Sequence, residues 1–378
     1  MPAKTSQLYE TDHAGTGIVT SQAKIRGCLM VVPYYIYKYP YKFAWYLLRL
    51  LGVNRPAVVC YIAEPLDYIL FETVQKYLPP VQLAAAKQAR PYLKTRGINP
   101  GRIPSFPDAV IMFRHAAHKF PVKKIVKIGL RHGPYHFKKF TRAANYNAFD
   151  VFMMTSEREV ELGRRIGIKS AVSVGFPKLD PLFNGVYDEI YLEPVRLKAG
   201  IDHKKKTVIF TATYDASGMS AIEKWINELD GISKVYNVLV TVHAWTSKKY
   251  VNRLKSLKNI YFIEDVNILP YLAISDLLVG DVSSIIAEFC ALDRPIVTFS
   301  VNKAKRSVPE IFDILENISI KIDNGAQLKG AIEEGLSAPG DKSEQRRKAN
   351  DIIYDKLDGQ AGKRAADIIK KWIPVLAE

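Results

Sequence analysis

The chain has 378 residues and a formal charge of +16, long enough for about two domains with large cores of their own. With 48% hydrophobic residues and only three widely separated cysteines, Cys28, Cys60 and Cys290, it reads as globular, and it lacks the paired spacings of a zinc site or a disulfide framework. The charge is uneven: residues 1–182 hold 27 basic and 11 acidic side chains, residues 183–378 hold 27 of each, and no Lys/Arg-rich run or nucleic-acid motif accompanies the excess, which argues against nucleic acid as a partner.

In chain order, residues 1–22 are polar and are expected to be poorly ordered. No acidic residue occurs between His13 and Ala63, whereas Lys24, Arg26, Lys38, Lys42, Arg49 and Arg55 fall there. The same stretch contains MVVPYYIYKYPYKFAWYLLRLLG. Aromatics interleaved with cations suit the headgroup layer of an anionic membrane surface, where each cation contributes roughly 1 kcal/mol. The blander alternative buries the aromatics in a core and leaves the cations solvated. Lys38, Lys42 and Arg49 interrupt the roughly 20 apolar residues that a spanning helix needs. The run also starts late and no small-residue cleavage site follows it, unlike a signal peptide.

Strand-like apolar runs follow at 57–63, 81–85, 108–113, 124–130, 150–156 and 170–176, with helical stretches after several of them. Residues 180–206, with Pro181, Gly185, Pro194, Gly200 and the run Lys204 to Lys206, read as a linker. Five further runs, at 207–213, 237–243, 259–265, 276–281 and 295–300, alternate with helical stretches at 219–230, 247–257, 268–275 and 284–292. Short strands alternating with helices require right-handed crossovers and a parallel sheet covered on both faces. The fold class is therefore α/β with two Rossmann-like domains, 23–182 and 183–360, and a C-terminal helix at 361–378 that in two-domain transferases can cross back onto the first domain.

Ligands of open parallel sheets bind beyond the carboxyl ends of the strands, and polar residues collect there. Thr211 and Thr213 end one run, His243 ends the next, and Asp281, Ser283 and Ser284 follow a third. In GDVSSIIAEF, Gly280 is expected to permit an unusual turn and Ser283 or Ser284 to cap a helix whose free N–H groups cradle a phosphate without metal. Glu288, one turn on, is placed to accept hydrogen bonds from ribose hydroxyls; the alternative is a solvated helix face. His243 is placed to donate to a diphosphate oxygen, against the usual reading of a lone strand histidine as structural. In the first half, KIGLRHGPYHFKKF puts His132 after a strand and before the turn at Gly133-Pro134. An imidazole there, with an unperturbed pKa near 6.5, suits a general base on a hydroxyl. Arg131, Lys138 and Lys139 are candidates for an anionic acceptor or, equally, a solvated basic face. His115, His118 and His136 read as surface or packing residues. Phosphate-binding P-loop, dinucleotide, zinc-protease and serine-hydrolase motifs are all missing, and no metal or cofactor is expected.

Four segments in order, RHG (131–133), GFPKLD (175–180), TATYD (211–215) and ILPYLAISDLLVGDVSSIIAEFCALDRPIVTF (268–299), resemble the CDP-glycerol glycerophosphotransferases, the teichoic acid primases and polymerases. The resemblance covers roughly residues 120–300. It implies a GT-B architecture with the active site between the domains, and a CDP-linked polyol as donor. The acceptor it implies is a lipid-linked or polymeric glycan, met in the cytoplasm at the inner membrane face. By the same resemblance His132 is the base on the acceptor hydroxyl, His243 contacts the donor phosphates, Ser283 and Ser284 bind the diphosphate, and Glu288 lies at the ribose. Arg131 and Ala244 stand where the family usually has Trp and Pro. The function expected is transfer of a polyol phosphate, glycerol phosphate from CDP-glycerol, with release of CMP. Alternatives are a nucleotide-sugar glycosyltransferase or 2-epimerase on the same fold, and a nonenzymatic membrane scaffold.

Overall fold

The computed structural model describes residues 21–134, 140–302 and 309–377, the side chains of 21–33, 309 and 311 excepted. The chain divides into two compact units, one ending at Asn54 and the other running from Arg55 onward. In the first, the aromatic stretch is one helix of 30 residues, Ser21–Leu50, despite its two prolines. Tyr39, Phe43 and Leu50 are exposed on it, and Lys38 lies within about 6 Å of the rings of Tyr34, Tyr35 and Tyr39. No described helix is long and apolar enough to cross a membrane.

The second unit holds two six-stranded sheets, and among the described residues every strand pairing in them is parallel. The first comprises β1 (Val58–Ile62), β2 (Gln82–Ala85), β3 (Ala109–Met112), β4 (Val126–Leu130), β5 (Val151–Met154) and β6 (Ala171–Ser173), in the order β2-β1-β3-β4-β5-β6. The second comprises β7 (Thr207–Ala212), β8 (Asn237–Val242), β9 (Tyr261–Phe262), β10 (Leu277–Gly280), β11 (Ile296–Phe299) and β12 (Ile320–Ile322), in the order β12-β11-β10-β7-β8-β9. Strands such as Val58–Ile62 and Thr207–Ala212 are buried along their whole length, as parallel strands covered on both faces must be. All eleven expected runs are strands; β12 is additional.

Strand order reverses between β1 and β3 in the first sheet and between β7 and β10 in the second. At such a switch point the connections leave on opposite faces and open a crevice at the carboxyl edge. One apolar core runs from the first sheet, through Phe176, Leu179 and Tyr354, to Ile209, Leu239 and Leu278 of the second; a separate core covers the other face of the second sheet.

The expected linker is largely structured. Its start forms a tight 3-10 segment, Pro177–Leu182, with Lys178, Leu179 and Asp180 buried, and Glu189–Lys198 is a helix that accommodates Pro194. The stretch expected as one helix at 219–230 is broken into Ile222–Trp225 and Leu229–Ser233. The last helix, Ala361–Trp372, lies on the Pro65–Gln75 helix and the Pro177–Leu182 turn. Its first N–H groups donate to a distant carboxylate: Ala361 to Asp180 Oδ1 at 3.1 Å and Gly362 to Oδ2 at 2.7 Å. Gly362 permits the contact, because a β-carbon there would lie 2.6 Å from the carbonyl oxygen of Thr73.

Candidate active site

At the switch point of the second sheet, Asp281 follows β10 and reaches the loop after β7. Its carboxylate, buried to 1% exposure, accepts the Thr213 hydroxyl at 2.7 Å and the N–H groups of Thr213, Ala221, Val282 and Ser283 between 2.6 and 3.1 Å. Burial nevertheless leaves its pKa raised, against the lowering effect of these donors. The local consequence differs from the sequence expectation. The N–H groups of Val282 and Ser283, in the turn before the helix, are taken by Asp281 itself, so Asp281 organises the loops. Capping is also slight: Ser283 Oγ accepts from Ile285 N at 3.4 Å, Ser284 makes no cap bond, and the helix runs only Ile285–Cys290. Gly280 serves packing rather than an unusual turn, since a β-carbon there would lie 2.9 Å from Thr211 Cγ2. Thr211 is fully buried and its hydroxyl has no partner among the described residues; it faces the interior, not a donor.

The next strand end is tied in by a second carboxylate. Asp215, after β7, accepts the N–H and hydroxyl of Ser247, after β8, at 2.8 and 2.5 Å. Between these anchors His243 stands exposed, with its ring 5.2 Å from those of Tyr214 and Trp245. The Trp245 N–H donates to His243 Nδ1 at 3.1 Å. A neutral ring so held carries its proton on Nε2. Ser283 and Ser284 are half-buried on the neighbouring turn. Two pockets open at this edge, one lined by Asp281, Val282 and Ser300, the other by Ser220, Lys224 and Ser300.

In the first sheet, His132 follows β4 and is partly buried. Burial, and then the guanidiniums of Arg114 and Arg131 with His115, push its pKa down to about 3, well below the value near 6.5 expected from sequence. Arg131 is braced within the protein: its Nε donates to Glu159 Oε1 at 2.6 Å, and Glu159 is fully buried and also receives the Thr155 N–H. Lys138 and Lys139 lie outside the described residues, as does His136. The cation that sequence reasoning missed is Arg114. It follows β3 at the first sheet's switch point, 27% exposed, with Nε 3.0 Å from the buried Asp67 and Nη2 2.7 Å from Glu64. His115 packs parallel to Phe152 at 5.3 Å, its Nδ1 without a partner among the described residues, and burial with Arg131 lowers its pKa to about 4.

Glu288 is neither solvated nor openly presented. It is 4% exposed and its Oε2 lies 2.6 Å from the Nζ of Lys178, itself 3% exposed. The pair joins the segment after β6 to the helix after β10, and so ties together the layers of the two sheets. Lys178 belongs to GFPKLD, whose Asp180 holds the last helix; both roles cross more than a hundred residues and carry no local signal.

Comparison with known proteins adds to this geometry. The family model described as CDP-Glycerol:Poly(glycerophosphate) glycerophosphotransferase matches residues 121–371. A teichoic acid poly(ribitol-phosphate) polymerase of Bacillus spizizenii is 24% identical over 278 residues, 69% of this chain and 43% of that protein. The chain spans less than half the length of the curated relatives it matches. The wall teichoic acid polymerase TagF superposes with a TM-score of 0.68 at 16% identity, covering 91% of this chain and 99% of that one. A UDP-GlcNAc 2-epimerase from Neisseria meningitidis, bound to UDP-GlcNAc, gives 0.54 at 14% identity over 84% of this chain and 99% of that one. These likenesses establish a GT-B-like fold.

Proposed function

This chain belongs to the CDP-glycerol:poly(glycerophosphate) glycerophosphotransferase family, and we propose that it transfers glycerol phosphate from CDP-glycerol to a hydroxyl of a teichoic-acid-like polymer. The acceptor oxygen attacks the β-phosphorus, the bond from that phosphorus to the bridging oxygen breaks, and CMP leaves with the electron pair. His132 takes the acceptor proton. In the free protein it is unprotonated at neutral pH and a weak base; an anionic acceptor beside Arg114 offsets the positive field and strengthens it. His243, with its proton on Nε2, donates to a diphosphate oxygen as charge develops. Ser283 and Ser284 supply hydroxyls to the same diphosphate, and Thr213 and Asp281 hold the loops in place.

The observation that carries the reading is topological. His132 and His243 stand at carboxyl edges of two parallel sheets within one compact unit, and Lys178 with Glu288 ties the layers together. The helix Ser21–Leu50, with exposed aromatics and no acidic residue, is proposed to rest on an anionic membrane surface at the cytoplasmic face, where such a polymer is anchored. The test is CMP release from CDP-glycerol in the presence of acceptor polymer, with UDP-GlcNAc as the control donor. His132→Ala is expected to lower the rate by at least 100-fold. Unchanged release removes His132 from the reaction, and selective use of UDP-GlcNAc refutes the donor.

A further inference from the structure

A cavity at the carboxyl edge of the second sheet holds a cation that the transfer chemistry does not use. It opens between the loops after β7 and β11, which flank the end of β10, and Ser220, Lys224, Ser300 and Asn302 line it. Its volume is about 280 Å³; a water molecule takes roughly 30 Å³, so the space admits a small anion with part of its hydration. The Lys224 ammonium donates to the carbonyl oxygens of Ser300 at 2.7 Å and Asp323 at 2.9 Å. Both acceptors are neutral. Lys178, Arg131 and Arg346 are each met by a carboxylate, whereas Lys224 forms no ion pair among the described residues. An ammonium has three N–H groups, so one remains for a ligand. Ser220 Oγ accepts from the Ile222 N–H at 3.3 Å, and its own proton has no acceptor among the described residues. The exposed Asn302 amide is likewise uncommitted there.

The neighbouring cavity shares Ser300 and Val301 with this one and is lined by Asp281, Asp313 and Glu316. Its one lysine, Lys321, is paired with Glu316, whereas Asp313 has no partner among the described residues. Ionised carboxylates only accept hydrogen bonds. A cation with two neutral donors, set beside a free carboxylate, matches a ligand that joins an anionic group to a hydroxyl-bearing carbon chain. We infer that the two cavities together bind one polyol phosphate unit of the acceptor polymer, its phosphodiester at Lys224, Ser220 and Asn302 and its hydroxyls toward Asp313. This rests on the acceptor class proposed above, and the subsite is separate from the diphosphate assigned to Ser283 and Ser284. Its contacts lie away from the reacting atoms, so they hold the polymer without entering the bond-making step.

The experiment uses the full chain and measures, by calorimetry, the dissociation constants of a soluble glycerol phosphate trimer, of inorganic phosphate and of CDP. Lys224→Met is expected to weaken trimer binding about tenfold, the effect of one lost charge-assisted hydrogen bond, and to leave CDP within twofold of wild type. Asn302→Asp alters an exposed side chain without changing its size, so it keeps the fold if Lys224→Met does not. It puts a negative charge into the cavity and is expected to weaken the trimer about fivefold. Trimer affinity unchanged in both variants leaves Lys224 as a brace between strand ends and overturns the proposal. A parallel loss of CDP affinity merges the cavity with the donor site and overturns it too. Phosphate binding that depends on Lys224 while trimer binding does not makes the cavity a free-phosphate site and overturns the acceptor assignment. A wild-type protein that binds no trimer does the same. If the trimer binds through Lys224 but CDP-glycerol yields no CMP, the transfer reading falls while the polymer subsite stands.

Discussion

Asp281 offers the sharpest test of how the candidate donor edge is built. Its Oδ2 accepts from the N–H groups of Thr213 and Ala221 at 2.9 and 3.1 Å, and its Oδ1 from the Thr213 hydroxyl and the N–H groups of Thr213, Val282 and Ser283. In Asp281→Asn the volume is unchanged, but one oxygen becomes an NH2 group. If the amide oxygen keeps the Oδ1 partners, which include the Thr213 N–H at 3.1 Å, the amide nitrogen faces the N–H of Ala221, donor against donor. Leaving a buried donor unsatisfied costs about 1–3 kcal/mol, a measurable share of the 5–15 kcal/mol typical of a folded domain. Asp281→Ala is expected to lose at least as much. Urea denaturation read at constant m measures it. Thr211→Val is the control, because the Thr211 hydroxyl is buried with no partner among the described residues, and it should be neutral or slightly stabilising. Loss of less than about 0.5 kcal/mol in Asp281→Asn refutes the account of Asp281 as the hub of these loops.

The histidines make stability depend on pH. His115 and His132 have native pKa values lowered to about 4 and about 3, against about 6.5 unfolded. Their contribution is therefore complete above pH 6.5, and it is lost on acidification as the unfolded chain takes up protons that the native state refuses. The slope approaches about 1.4 kcal/mol per pH unit for each histidine; denaturation curves between pH 7.5 and 4.5 measure it, and His115→Phe should lower it. Gly362→Ala places a β-carbon 2.6 Å from the Thr73 carbonyl oxygen, so overpacking should cost about 1–3 kcal/mol and loosen the last helix, seen as faster amide exchange in residues 361–372. For the membrane proposal, Lys38→Glu/Lys42→Glu should reduce flotation with anionic vesicles about fivefold or more, and equal flotation with neutral vesicles would refute the electrostatic part.

Much of the fold was legible because its signal is local. Uninterrupted apolar runs of four to seven residues separated by helical stretches permit little besides parallel sheets covered on both faces, and each of the eleven expected runs is a strand. The positions of His132 and His243 at strand ends follow from the same pattern. What escaped was weak or masked locally. The three residues of β12 are too few to show a period, and Pro194 hid the helix Glu189–Lys198.

The partners of the functional side chains were settled only in three dimensions. Strand order, which no periodicity encodes, puts β10 beside β7 and β3 beside β1, and so brings Asp281 to Thr213 and Arg114 to Asp67 and Glu64. The folded chain also pairs Glu288 with Lys178 and Arg131 with Glu159, partners that no local pattern in the sequence announces. The chain's own residues fix which groups stand at the carboxyl edges, because side-chain direction along a strand repeats every two residues. Which of those groups remain free for a ligand depends on contacts across 28 to 110 residues, and only the folded chain brings those together.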